Sequence, residues 1–227
     1  RPPTPALKED YDALMARAAA VRGRGLLYPF VGSGAGNGAL VELADGSVKW
    51  DMICGIGVHF FGHADPDLTE HALLAGIDDT VKQGNLQSTI EAYELLEVLI
   101  NEAKKNSRLK FGYVATGGAM ANENALKVAA KLTGRSRFVA FEGSFHGRTL
   151  LALSATDAPK LKAGYEAFLA PVDFLPFGDP AALATADLTG VAAVIVEPIQ
   201  SMAGVRTAEA SWFRLLKARC EAAGALL

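Results

Sequence analysis

The chain has 227 residues, 50% hydrophobic and 21% charged, which is enough apolar material for one large domain or two small ones. A formal net charge of −3 gives no footing for nucleic acid or an anionic membrane surface as a partner. No apolar run reaches the roughly 18 residues of a membrane-spanning helix, and RPPTPALKED at the start lacks the apolar region of a secretion signal, so a cytoplasmic protein is expected.

Thr4 to Val21 reads as a polar entry and then a helix, with Leu7, Tyr11, Leu14, Met15 and Ala18 at helical spacing. Leu26 to Val31 is a short strand-like run. The glycines of Gly32 to Gly38 have dinucleotide-fingerprint spacing, but strand-like Ala39 to Leu43 follows where a helix would have to open. A hairpin fits better, with Ala39–Leu43 and Val48–Met52 as arms and Asp45-Gly46 as its turn. Cys54 to Asp67 is punctuated by glycines that argue against a helix, and His59 and His63 lack the further Cys or His of a zinc site. Cys54 and Cys220, the only cysteines, fit no metal spacing and are expected as buried free thiols.

Leu68 to Lys82 is a predicted helix with Asp67 as a candidate cap, and Gly84 to Gln87 a loop. Ser88 then caps a helix over Thr89–Lys105, with Glu91 completing a capping box. Phe111 to Ala115 has strand length, and Arg137 to Phe141 is a second short strand. Leu150 to Leu169 mixes helix and loop, and Pro171 to Pro180 reads as a connector. Val191 to Val196 is a continuous apolar run suited to a strand buried on both faces. Ser211 to Ala222 is amphipathic, and Gly224 to Leu227 looks like the opening of one more strand. Strands alternating with helices predict an α/β fold with a mostly parallel sheet.

The chain is organised around FGYVATGGAMANENALK, Phe111 to Lys127. A strand-length run, a glycine turn and strong helix formers follow one another. Paired glycines let the backbone approach a ligand, and the free N–H groups of a helix start attract an anion, commonly phosphate. The same residues also describe an ordinary βα turn. Two further loops, Glu142–Arg148 and Glu197–Met202, leave the C-terminal ends of predicted strands, the edge where open α/β sheets bind ligands. Together the three loops offer a phosphate cradle, an aromatic ring, an arginine and a carboxylate.

Four stretches resemble the class III pyridoxal-phosphate-dependent aminotransferases, in the acetylornithine and ornithine aminotransferase group. GGAMANENALK, Gly117–Lys127, is similar to the family's S-G-A-E-A-N-E-x-A-[LIM]-K. Phe145 to Thr149 matches F-H-G-R-T, Val194 to Gln200 matches V-I-V-E-P-I-Q, and Gly55 to Pro66 resembles G-I-A-V-x-x-x-G-H-x-x-P. Two positions depart: Gly117 replaces the family serine and Met120 the family glutamate.

The resemblance implies a fold-type-I transferase, with residues 1–57 an N-terminal segment of the small domain and 58–227 part of the large cofactor-binding domain. It implies pyridoxal 5'-phosphate as cofactor. Gly118 and Ala119 would hold the phosphate through backbone amides, and Phe145 would stack on the ring; from residue type alone Phe145 could equally be core. Arg148 would meet the substrate carboxylate, or else be a solvated arginine. Glu197 would belong to the cofactor-binding set near the substrate-side face, where in some members it pairs with a specificity arginine, or be a helix cap or plain ion pair. The implied reaction moves an amino group from an amine or amino acid to a 2-oxo acid. A homodimer is also implied, with Asn85-Leu86-Gln87 reaching a neighbour's site. The family's catalytic lysine has no counterpart up to Leu227, so a truncated chain, inactive alone, is expected. An aminomutase of the same fold, or a non-catalytic fragment pairing with a partner chain, are the alternatives.

Overall fold

A computed structural model describes residues 1–77 and 89–227, which form two compact units, Arg1–Ile90 and Glu91–Leu227. The expected loop at Gly84–Gln87, the Ser88 cap and the reach of Asn85-Leu86-Gln87 lie outside the described residues. Among the described residues no helix is long and apolar enough to cross a membrane.

The first unit opens with α1 (Lys8–Arg22), ended by left-handed Gly23. Tyr11, Leu14, Met15 and Ala18 are half-buried as their spacing predicts, with Ala19 beside them, whereas Leu7 stands in the turn before the helix and is 39% exposed. An antiparallel sheet follows, β1 (Gly32–Asn37), β2 (Leu40–Leu43) and β3 (Val48–Trp50) in that order. The hairpin forms from the expected arms, with Leu40 opposite Trp50, around a turn in which Asp45 Oδ1 accepts from the Ser47 amide at 2.9 Å. The strand before it is not Leu26–Val31 but the glycine run. Glycine contributes no apolar signal, yet a Cβ on Gly36 would sit 2.8 Å from His63 Cβ, so close packing dictates the residue. Cys54 begins a short irregular turn, α2 (Cys54–Gly57), with positive φ at Gly55 and Ile56. Its thiol is exposed, contrary to expectation, whereas Cys220 is buried. The Asp51 carboxylate holds this turn by accepting from the Ile53 and Cys54 amides, and its other oxygen lies 2.7 Å from His63 Nε2. These contacts, His63 first, bring Asp51 down to about 2. α3 (Pro66–Ile77) starts earlier than expected, and its cap is Asp65, not Asp67. Proline at the first helical position is preorganised for that role.

The second unit begins with α4 (Ile90–Lys104). The segment 111–115 is not a strand: no described strand pairs with it, and Phe111 is 90% exposed. The helix it leads into, α5 (Gly118–Thr133), forms as predicted and is closed by left-handed Gly134. The core of the unit is a parallel sheet in the order β5-β4-β6, built from β4 (Arg137–Phe141), β5 (Val172–Leu175) and β6 (Val191–Val194). β5 lies inside the stretch expected to be a connector, because Pro171 and Pro176 fall just outside the four residues that join the ladder. All of β6 is buried, and Leu226 extends the sheet beside it, its amide donating to Ala192 O at 3.0 Å.

The two faces of this sheet differ in bulk. On one, Phe141 and Phe177 pack edge-on against Trp212 of α9 (Ala210–Ala223), at 5.0 and 5.2 Å between ring centres. On the other, Ala140, Ala192 and Ala193 face Leu126 and Ala129 of α5. Small residues there let α5 lie close to the strands, which places its first turn at the C-terminal end of β4. The rest of the unit is short: α6 (Leu150–Ser154), α7 (Pro159–Lys162), α8 (Pro180–Thr185) and a two-residue ribbon of β7 (Ile199–Gln200) with β8 (Arg206–Thr207).

Candidate active site

The site is assembled where α5 starts and β4 and β6 end. Gly117, with extended backbone, precedes α5 and supplies no side-chain cap. The first N–H groups of the helix therefore keep their capacity to donate. A Cβ on Gly117 or Gly118 would meet open space, so the surface over this helix start is clear. Ala119 is different: it is the floor on which the next loop rests. At Gly147, φ is +129°, and a Cβ there would lie 2.6 Å from that of Ala119. Only glycine allows this approach, which brings the 145–149 loop onto the first turn of α5.

That loop is held along its length. The Phe145 amide donates to Glu197 Oε1 at 2.8 Å. The His146 amide donates to Thr156 Oγ1 at 2.9 Å, and the His146 carbonyl accepts from Asn122 Nδ2 at 2.8 Å. Thr149 Oγ1 donates to Glu123 Oε2 at 2.6 Å. Behind it, buried Gln200 donates from Nε2 to Glu142 O at 3.1 Å, tying the end of β4 to the chain after β6. Burial holds the His146 imidazole at about 4, so the ring is neutral near pH 7. Glu197 is raised by burial, partly offset by the Phe145 amide.

Gly118, Ala119, Phe145 and Arg148 line one cleft of about 730 Å³. Phe145 is half-buried, leaving part of its ring on the wall, and Arg148 is exposed at the rim. Four of the five residues singled out from sequence thus meet on one surface. Glu197 lies behind Phe145 and touches the cleft through that amide. Sequence reasoning missed Asn122, Glu123 and Thr149 as parts of the same construction. The available signal was spacing: Glu123 lies four residues after Ala119, on the same helix face.

The arrangement suits a flat anionic molecule. Helix N–H groups take a phosphate, the aromatic wall takes a ring, and the guanidinium takes a carboxylate. These donor types fit pyridoxal 5'-phosphate, and the clear space over Gly118 leaves room for its phosphate.

Comparison with known proteins agrees with this geometry. A family model described as Aminotransferase class-III matches residues 28–227. An acetylornithine aminotransferase of Methanopyrus kandleri is 36% identical over 192 residues, covering 85% of this chain and 49% of that protein. A Pyrococcus furiosus protein, provisionally described as a LysW-aminoadipate semialdehyde/glutamate semialdehyde transaminase, is also 36% identical over 192 residues, covering 85% of this chain and 51% of its own. The ornithine aminotransferase of Toxoplasma gondii has the same fold, with a TM-score of 0.83 at 22% identity over 96% of this chain and 52% of its own. The chain spans about half the length of the curated relatives it matches.

Proposed function

The chain belongs to the class III aminotransferases, and from that premise we propose that it builds the phosphate-side half of a pyridoxal-phosphate site for amino transfer to 2-oxo acids. The observation that carries this reading is the convergence of an uncapped helix start, an aromatic wall and an exposed guanidinium on one cleft. When bound, the cofactor supplies an electron sink for exchanging an amino group with a carbonyl. The chain's own residues bind and orient. The first-turn amides of α5, Gly118 and Ala119 among them, hold the phosphate. Phe145 lies against the ring, kept in place by the hydrogen bond from its amide to Glu197. Arg148 receives the substrate carboxylate through two parallel N–H donors. The neutral His146 adds no charge to compete with Arg148.

Substrates are an amino donor bearing a carboxylate and a 2-oxo acid acceptor. The relatives named for acetylornithine and for semialdehyde substrates are equally similar, so neither is favoured here. The family resemblance extends this reading to a homodimer in the cytoplasm, with residues 58–227 belonging to the cofactor domain. It supplies no counterpart of the family lysine within residues 1–227, so this polypeptide alone is expected to hold the cofactor without transferring amino groups. In a preparation that also supplies that lysine, steady-state assays test the site. Arg148→Ala is expected to raise KM for a carboxylate substrate at least about tenfold with kcat little changed, the pattern of lost uniform binding. An equal loss in both, or none, removes Arg148 from substrate recognition.

A further inference from the structure

We propose that Glu123 is a positioning residue that sets the aim of Arg148 by capping α6 from the neighbouring helix. Thr149 occupies the N-cap position of α6, yet its hydroxyl makes no cap to that helix. It donates instead to Glu123 Oε2 at 2.6 Å. The same oxygen accepts from the Leu151 and Ala152 amides at 3.0 and 3.1 Å. Those are the second and third amides of α6, the ones a cap residue ordinarily satisfies. One carboxylate oxygen on α5 therefore terminates a helix that belongs to the next part of the chain.

The consequence reaches Arg148 through the backbone. Arg148 stands between two anchors on the first turns of α5. On its N-terminal side the His146 carbonyl is held by Asn122 and Gly147 lies against Ala119. On its C-terminal side Thr149 is held by Glu123. The Arg148 side chain is exposed, so what the fold sets is the point and direction in which it leaves the backbone. The helix that offers the phosphate-binding amides thus also fixes the backbone from which Arg148 projects, and the span between the two charged ends of a ligand is set from α5. Glu123 touches neither end itself.

This inference rests on the functional reading above, and its test separates the two. The probes are pyridoxamine 5'-phosphate, which lacks a carboxylate, and N-(5'-phosphopyridoxyl)-L-glutamate, which carries the same ring and phosphate plus carboxylates. Their dissociation constants are measured on the purified 227-residue chain, with thermal melts run alongside. The wild type should prefer the glutamyl probe by about tenfold or more, the scale of a charge-assisted hydrogen bond. Glu123→Ala should remove most of that preference while changing the affinity for pyridoxamine 5'-phosphate less than about threefold, and Glu123→Gln should recover part of it, since an amide oxygen still accepts. In an Arg148→Ala background, Glu123→Ala should cost nothing further in preference, because the residues act as one unit. A preference unchanged by Glu123→Ala, equal losses for both probes, or additive effects with Arg148→Ala would overturn the positioning role. If Glu123→Ala does not fold, Glu123→Gln and Thr149→Val carry the same comparison. A wild type that binds neither probe instead overturns the functional reading.

Discussion

Two clefts of similar size differ in what they offer a ligand. The N-terminal one, about 640 Å³, is walled by Phe30, Val41, Leu43, Trp50, Met52 and Ile53. The C-terminal one, about 730 Å³, presents helix amides, half an aromatic ring and a guanidinium. Apolarity alone would direct attention to the first. Directional donors with a single sign of charge identify the second, because specificity comes from a few placed polar groups. The frameworks differ as well. The second cleft stands on two strands, β4 and β6, that are almost wholly buried, whereas the first unit buries among its described hydrophobic side chains only Leu43 and is held by backbone ladders and turn hydrogen bonds.

The largest expected effect comes from closing the second cleft's floor. Gly147→Val places a branched side chain at φ +129°, with its Cβ 2.6 Å from that of Ala119. Strain and overpacking together should cost about 4 kcal/mol, read as a lower melting temperature and loss of cofactor binding. Wild-type stability would mean that the loop does not rest on α5.

Acid should separate the regions next. His146 is held at about 4 against an ordinary value of 6.5. The unfolded chain therefore takes up that proton first, so the neutral ring's contribution is complete above pH 6.5 and lost as pH falls through about 4. Its upper limit is on the order of 3 kcal/mol. Glu197, raised by burial, works the other way and offsets part of the loss. Asp51 beside the first cleft is held at about 2 from 3.8, so its contribution is complete above pH 3.8 and lost as pH falls through about 2. Titrating the imidazoles by NMR checks this: His146 should stay neutral down to about pH 4, and a midpoint near 6.5 would place the ring in solvent.

The smallest effect is the most selective. Phe145→Ala should weaken binding of pyridoxal 5'-phosphate about tenfold, from lost stacking and lost contact area. Trp50→Ala, at a residue 71% exposed in the other cleft, should leave that affinity unchanged. Equal responses would erase the distinction between the clefts.

Much of the second unit was legible because burial on both faces writes itself into composition. Arg137–Phe141 and Val191–Val194 are strands made almost wholly of apolar residues, and the glycine turns between strand and helix mark the binding edge. Leu226 also joins the sheet where its run predicted. What failed to read was set by neighbours rather than by side chains. Gly32–Asn37 is a strand through its ladder and its packing against His63, while apolar Leu26–Val31 is not one. Phe111–Ala115 has strand composition but forms no strand. Val172–Leu175 was hidden between prolines that stand outside the ladder. Glu123 drew no reading of its own within the Gly117–Lys127 motif, and only the fold brings it to the start of α6.

The central claim is that the start of α5 is a phosphate site facing an aromatic wall. Titrating the purified chain with pyridoxal 5'-phosphate and with pyridoxal, which lacks the phosphate, tests it most directly. The account predicts saturable binding of the phosphorylated compound at least about tenfold tighter than of pyridoxal, as expected for charge-assisted hydrogen bonds to helix amides, with inorganic phosphate competing. Equal affinity for the two compounds, with no competition by phosphate, would contradict it.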